Sequence, residues 1–220
     1  TVYKTVHHGV ARDIPITIYS RDDLLADLAM EKIHGLFKEL ERTYGPYYHS
    51  SFTAYINGKG GMEHCGATIT SVGALGHELT HSWFARGVMP SDSRSGWLDE
   101  AIASWRDNGY FRASGPPSRP STNLASYSKY GLFTPGNAYV DGRTLLSELD
   151  YYVAPSRGGL RPILAEFFAL WKGQVISTQI FQAFVEASAG RSFEALFDRY
   201  VYGHPGQPDG GVDGLFTSGT

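Results

Sequence analysis

The segment His77-Glu78-Leu79-Thr80-His81 carries the residues best suited to chemistry. Residues four apart on an α-helix share a face, so both imidazoles can reach one Zn²⁺ ion. Glu78 would lie beside that ion, where it can take a proton from a bound water whose pKa the ion lowers toward about 7. A surface helix with two solvated histidines is the alternative interpretation of these five residues, because so short a motif also occurs by chance.

Glu100 supplies the third ligand that such a site requires. Eighteen residues separate it from His81, and it lies in a second helical segment that begins near Trp97. A helix, a turn and a helix would bring this carboxylate onto the same ion. Two histidines and one glutamate leave the fourth zinc position open, which is typical of catalytic sites. We therefore predict one Zn²⁺ per chain, held by His77, His81 and Glu100, with Asp99 as the alternative carboxylate ligand.

Four short motifs follow one another along the chain. Residues 60–64 read G-G-M-E-H, residues 77–84 read H-E-L-T-H-S-W-F, residues 97–101 read W-L-D-E-A, and residues 139–142 read Y-V-D-G. They resemble, in the same order, the G-x-M-E-N, H-E-L-x-H-x-W-F, W-L-N-E-G and Y-x-K-G motifs of the gluzincin zinc aminopeptidases, the family of aminopeptidase N and leukotriene hydrolase. The resemblance spans roughly residues 15 to 205.

Several positions depart from those motifs. His64 stands in place of Asn, Asp99 and Ala101 replace Asn and Gly, and Asp141 replaces Lys. The G-G-x-E-H pattern and residues 197–203 are more similar to the glycyl aminopeptidase family, which shares the zinc arrangement. Both branches imply the same zinc chemistry.

The resemblance implies a substrate-binding role for residues 60–64. Glu63 would bind the free α-amine of a peptide, since a carboxylate and an ammonium form a charge-assisted hydrogen bond. Gly60 and Gly61 would hold the substrate's main chain, with Met62 and His64 completing the segment. The alternatives are a plain Gly-Gly turn, a solvent-facing Glu63 at a strand edge and a structural His64.

Tyr139 is implied as the donor that stabilises the oxyanion during hydrolysis. Other tyrosines lie nearby in sequence: Tyr127, Tyr130, Tyr151 and Tyr152. Tyr139 is distinguished by the glycine three residues later and by the helix predicted to follow it.

Three functions are compatible with these residues. The first is an aminopeptidase that hydrolyses the N-terminal residue of a peptide with a free N-terminus. The second is a thermolysin-like endopeptidase in which Glu63 is unused. The third is a non-catalytic peptide-binding module that retains the fold, although the presence of both Glu78 and Glu100 argues against it.

The residues around the ligands suggest how the ligands are held. Ser104 and Asp107 share the Glu100 face of their helix, and either could accept a hydrogen bond from a zinc-bound imidazole. A solvated helix face is the alternative for at least one of them. Trp83, Trp97 and Trp105 are expected to pack the two zinc-bearing helices together.

The elements that must position these residues form an α+β pattern. We predict a thermolysin-like zinc peptidase domain over 1–220, with a small N-terminal sheet lobe at about 1–71, a helical lobe at about 72–204 and a Gly/Pro-rich tail at 205–220. A long irregular stretch at about 115–137 should edge the active site. Strands are predicted at 14–19 (with Pro15 favouring a sheet edge), 52–56 and 62–70, and helices at 24–40, 72–87, 97–110, 139–151, 160–171, 178–187 and 193–201.

Composition limits the partners. The 220 residues are 42% apolar, enough for a packed core, and the net charge of −3 gives no basic surface for nucleic acid. No apolar stretch approaches the ~18 residues of a membrane span. A single cysteine, Cys65, excludes an internal disulfide. Because the chain begins at Thr1 without Met, we expect a processed protein or a piece of a longer one.

Overall fold

The computed structural model describes residues 1–116, 120–126 and 134–203. Tyr127, Tyr130 and the tail predicted at 205–220 lie outside the described residues, as does much of the irregular stretch near 115–137. The chain is α+β as predicted, with a small N-terminal sheet followed by a helical lobe.

The elements alternate at first and then become mainly helical. In chain order they are β1 (Val2–His8), β2 (Asp13–Ser20), α1 (Asp23–Tyr44), β3 (Phe52–Ile56), β4 (Met62–His64), β5 (Ala67–Thr70), α2 (Leu75–Thr80), β6 (Met89–Pro90), α3 (Trp97–Asp107), a 3₁₀ turn (Gly136–Tyr139), α4 (Asp141–Arg157), α5 (Leu160–Trp171), β7 (Val175–Ile176), α6 (Thr178–Ala189), α7 (Glu194–Phe197) and a π-helical turn (Asp198–Tyr202).

The main sheet has five strands in the order β1-β2-β3-β5-β4. β2, β3 and β5 run parallel, while β1 and β4 pair antiparallel with β2 and β5 at the two edges. β4 is therefore an edge strand, and it carries Glu63 opposite Thr68. The predicted single strand at 62–70 is a hairpin of β4 and β5, with Gly66 in the left-handed conformation at its turn.

The edge position expected for Pro15 is wrong, because β1 covers β2 on that side. Pro15 pairs with Val6 of β1, and the pairing of β2 with β3 begins only at Ile16. The missing amide of Pro15 therefore lies ahead of the β3 ladder and removes none of its hydrogen bonds.

Helix α1 joins the sheet to the helical lobe. Asp22 caps its first turn by accepting a hydrogen bond from the Leu25 amide, and Gly45 ends it with a positive φ of 102°. The helix packs on β1, β2 and β3 and also on α2 and α5. Buried Ile33, Phe37 and Leu40 form its core-facing stripe.

The helix predicted at 72–87 is much shorter than expected. Only Leu75–Thr80 is regular α-helix, after which Ser82 and Trp83 donate to carbonyls three residues back, which tightens the end of the helix. His81 still has right-handed helical dihedrals, so the alignment of His77 with His81 survives. The predicted helices at 97–110 and 193–201 also end differently, at Asp107 and in the π-helical turn.

One continuous apolar core extends from the sheet into the helical lobe. Trp83, Trp97 and Trp105 are all buried in it, as predicted, and each indole N–H has an acceptor. Within the described ranges, none of the helices combines the length and apolar character needed to cross a bilayer.

Candidate functional site

The structure brings His77, His81 and Glu100 together. His77 lies on α2, His81 directly follows this helix, and Glu100 lies in the first turn of α3. Oε2 of Glu100 is 3.0 Å from Nε2 of His77 and 3.5 Å from Nε2 of His81. One donor atom from each residue lies within 4.8 Å of the others. Three donors from two elements therefore converge on one point.

Glycine makes the approach of these elements possible at two places. A Cβ on Gly76, next to His77, would lie 2.2 Å from Nη1 of Arg106 on α3. A Cβ on Gly142 would lie 2.7 Å from the Cβ of Ala101, so the start of α4 can pack directly beside Glu100. This close packing on Ala101 explains why the residue three positions after Tyr139 is a glycine.

The donor set fits Zn²⁺, which binds imidazole nitrogen and carboxylate oxygen. Nδ1 of His77 lies 2.7 Å from Oδ2 of Asp107, and Nδ1 of His81 lies 3.4 Å from the carbonyl oxygen of Phe84. Because both Nδ1 atoms face acceptors, both Nε2 atoms are directed to the common point.

The electrostatics of the site favour an ionised Glu100. Burial alone raises the pKa of Glu100, but hydrogen bonds from His77 and His81 outweigh burial and hold this pKa well below its ordinary value. Burial likewise lowers the pKa of His77, but its hydrogen bonds to Asp107 and Glu100 raise it to about 10. A divalent cation replaces such protons when it binds imidazoles.

Asp99 does not join the ligand group among the described residues. Its Oδ1 accepts a hydrogen bond of 2.6 Å from the amide of Glu100, and burial raises its pKa to about 7. This hydrogen bond to the Glu100 amide directs the Asp99 carboxylate to the N-terminus of α3 rather than to the imidazoles.

Asp107 links the candidate metal site to α1. It accepts from His77 and also from Nη1 of Arg106 at 3.1 Å, while Arg106 holds Glu39 of α1 through two hydrogen bonds of 2.9 and 2.6 Å. Ser104, the other candidate for this role, is buried and makes no side-chain hydrogen bond to either imidazole within the described ranges. Glu39 is 67 residues from Arg106 in sequence, and no sequence motif predicted its contact with the site.

Glu78 is buried beside the donor group. Its Oε2 has no hydrogen-bond partner among the described residues, and burial raises the pKa of its carboxyl group, an effect that His81 and His77 oppose. The backbone of Gly61 lies against the same carboxylate, since a Cβ on Gly61 would be 2.0 Å from Oε1 of Glu78. An uncommitted buried carboxylate oxygen next to a candidate metal site is suited to accept a proton from substrate water.

Glu63 reaches the same region from the edge strand β4. Glu63, Glu78 and His81 each offer one oxygen or nitrogen atom within 4.8 Å of the others. Arg86, which no motif identified, donates from Nη2 to Oε1 of Glu63 at 2.9 Å. The only sequence signal for Arg86 was its position five residues after His81.

The other residues of the 60–64 segment contribute less to the site. Gly60 has no neighbour within 4 Å of a Cβ placed on it, and Met62 is 53% exposed. His64 is also exposed and pairs with Ala67 in the hairpin. The structure thus places Glu63 and Gly61 against the candidate catalytic residues. Met62 and His64 are exposed residues of β4, and Gly60 is an exposed residue that precedes this strand.

Tyr139 lies at the rim of the site. Its hydroxyl donates to Oε1 of Glu100 at 2.6 Å, and its ring stacks on His77 with a centroid distance of 6.1 Å and an interplanar angle of 11°. Burial and the Glu100 carboxylate raise the pKa of Tyr139, so the phenol keeps its proton. The side chain is 42% exposed and is accessible to a bound molecule.

Sequence comparisons and structure comparisons give different results. No protein-family model and no curated protein sequence matches the chain. Solved structures do match. Legionella pneumophila aminopeptidase A in complex with aspartic acid superposes with a TM-score of 0.73 at 14% identity, over 91% of this chain and 28% of that one.

Two further structures give similar matches. An M1 zinc metallopeptidase from Deinococcus radiodurans has a TM-score of 0.63 and 20% identity, over 86% of this chain and 50% of that one. Native yeast LTA4 hydrolase has a TM-score of 0.65 and 18% identity, over 88% and 38%. The chain thus has the fold of a segment of these three proteins, and it spans half of the length of each of them or less.

Proposed function

We propose that this chain is a thermolysin-like zinc peptidase domain with aminopeptidase activity. The observation that carries the proposal is the convergence of His77, His81 and Glu100 beside the uncommitted buried oxygen of Glu78. The similarity to zinc aminopeptidases in fold supports the proposal without assigning a substrate.

His77, His81 and Glu100 would hold one Zn²⁺. When bound, Zn²⁺ supplies a Lewis acid that polarises a carbonyl group and makes water more acidic. Asp107 fixes the ring of His77 and its tautomer, and Arg106 fixes Asp107 in turn. The ligand geometry is therefore held from α1 and α3 together.

Glu78 acts as the general base in this proposal. It takes a proton from the attacking water and returns it to the departing amine, a role for which a carboxyl group with a raised pKa is suited. Tyr139 keeps its proton and donates a hydrogen bond from its hydroxyl to the oxygen on which negative charge develops. Its hydroxyl lies 2.6 Å from Oε1 of Glu100, which places this donor beside the proposed metal ligands.

Glu63 gives the proposal its exopeptidase character. A carboxylate close to Glu78 can hold the α-ammonium of a peptide, so that only the first peptide bond reaches the general base. One observation favours the endopeptidase alternative: Glu63 already has a cationic partner in Arg86. In that alternative the free amine contributes nothing.

The deciding experiment compares matched peptides with free and acetylated N-termini. An aminopeptidase cleaves only the peptide with the free N-terminus. Glu63→Ala should cripple that cleavage and leave bound zinc unchanged. Truncating one partner of a desolvated charge pair typically costs about 2–5 kcal/mol of binding free energy. The neighbouring exposed residue supplies the control, because His64→Ala should have little effect. Equal cleavage of the two peptides by the wild type would refute the aminopeptidase assignment.

A second substitution tests the peptidase mechanism itself. Glu78→Gln removes a proton acceptor and not a ligand, so zinc content and thermal stability should be retained while turnover is lost. A Glu78→Gln protein with near-normal kcat would contradict the mechanism for both peptidase alternatives.

A further inference from the structure

Arg86 forms an ion pair with the residue that would recognise the substrate. Its Nη2 donates to Oε1 of Glu63 at 2.9 Å and lies 3.4 Å from the Glu63 carbonyl oxygen. The described residues provide no hydrogen bond to the other carboxylate oxygen of Glu63. Arg86 thus occupies one side of this carboxylate and leaves the second oxygen available.

The backbone holds Arg86 in a tight turn after α2. The Arg86 amide donates to the carbonyl of His81 at 2.9 Å, and the Ala85 amide donates to Val88 at 3.0 Å. Ala85 has a φ of 133°, which residues other than glycine rarely adopt. Such strained conformations persist where the surroundings over-determine them, and they cluster at functional sites. The turn therefore fixes the origin of the Arg86 side chain relative to His81.

The surroundings of Glu63 call for such a cation. Glu63 lies close to Glu78, and Glu100 adds a third carboxylate 3.5 Å from Nε2 of His81. Like charges at these distances repel, so an unpaired Glu63 would turn toward solvent. Arg86 places a positive charge beside Glu63, which offsets this repulsion.

We propose that Arg86 is a positioning residue that holds Glu63 in the orientation that binds the substrate's α-amine. This inference rests on the proposed aminopeptidase function and adds a residue to its recognition site. In this arrangement Arg86 takes Oε1, the substrate ammonium takes the second oxygen, and Arg86 itself does not contact the peptide bond. Prior orientation of the carboxylate lowers the entropy cost of substrate binding.

The test measures binding rather than turnover, with zinc-loaded protein and two amides. Calorimetry should give a measurable Kd for L-leucinamide and much weaker binding of N-acetyl-L-leucinamide. Arg86→Met and Arg86→Gln should each weaken L-leucinamide binding about tenfold or more, without changing zinc content. Arg86→Lys should lie between these variants and the wild type, because it retains the charge with a different reach. Arg94, exposed and paired with Asp92 at 2.9 Å, gives the control, and Arg94→Met should change no Kd.

A double-mutant cycle separates a positioning role from a merely structural one. If Arg86 acts through Glu63, then adding Arg86→Met to Glu63→Ala should weaken L-leucinamide binding no further than Glu63→Ala alone. Fully additive losses of binding free energy, or unchanged binding in both Arg86→Met and Arg86→Gln, would overturn the inference. Failure of the proposed function looks different: wild type that binds both amides equally, or neither, or a Glu63→Ala variant with unchanged affinity, would refute the amine-binding role of Glu63 itself.

Discussion

Gly61→Ala should displace Glu78, the proposed general base, and its neighbour Gly60 offers a matched control. A Cβ on Gly61 would lie 2.0 Å from Oε1 and 2.1 Å from Cδ of Glu78, whereas a Cβ on Gly60 would meet nothing within 4 Å. Neither glycine has a positive φ, so alanine is compatible with the backbone at both positions. The two substitutions therefore differ mainly in what the new methyl group meets.

The size of the effect follows from that distance. Ordinary van der Waals contact begins near 3.4 Å, so the Glu78 carboxylate and the Gly61 backbone must separate by about 1.4 Å. A misplacement of about 1 Å in a catalytic group can cost about 100-fold in rate, which corresponds to about 2.7 kcal/mol in the barrier. Because Glu78 is not a ligand in the proposed site, bound zinc should be unchanged.

The assay is kcat for a peptide with a free N-terminus, measured beside zinc content and the thermal midpoint. Gly61→Ala should lose about 100-fold in kcat with normal zinc, and Gly60→Ala should remain within a few-fold of the wild type. Near-normal kcat in Gly61→Ala would show that the contact with Glu78 has no catalytic importance. An equal loss in both variants would assign the effect to the loop and not to Glu78.

Four further predictions follow from the described contacts. Glu100→Ala should lose most of the bound zinc in metal analysis, because it removes one of three donors. Tyr139→Phe should keep zinc, while the activation barrier for turnover rises by about 2.7–4 kcal/mol and kcat falls accordingly. An unchanged kcat would remove Tyr139 from the mechanism. Asp107→Asn should weaken zinc affinity about 10–100-fold in a chelator competition, whereas Asp13→Asn, in the exposed pair with His8, should not. Burial, together with nearby cationic groups, lowers the pKa of His34 below its ordinary value of 6.5. The contribution of the neutral imidazole to stability is therefore present above about pH 6.5 and is lost as pH falls. His34→Gln should lose less thermal stability than the wild type between about pH 7.5 and 5.5, and an equal loss would contradict this assignment.

The spacing of residues along the chain predicted that His77 and His81 share a face, and the structure brings both of them close to Glu100. His77 and His81 are four residues apart, about one helical turn, and His81 keeps helical dihedrals, so their common face follows from local geometry. The strand at 52–56 and the helix at 160–171 also agree with the structure, because each has a regular apolar pattern and clear boundaries. Local pattern was less informative for β1, which lies at a sheet edge with mostly exposed residues, so no strand was predicted there.

What the sequence determined by itself is the chemistry available: two imidazoles at helical spacing, a carboxylate further on as the candidate third ligand, a glutamate next to the first histidine as the proposed general base, and an α+β order of elements. The tertiary structure decided which distant groups complete it. Glu39 reaches the site through Arg106, Gly61 packs on Glu78 from just before β4, and Arg86 pairs with Glu63. These contacts join residues on different elements, and their partners are set by how the sheet and helices pack, whereas residue spacing along the chain constrains only neighbours on the same turn or strand.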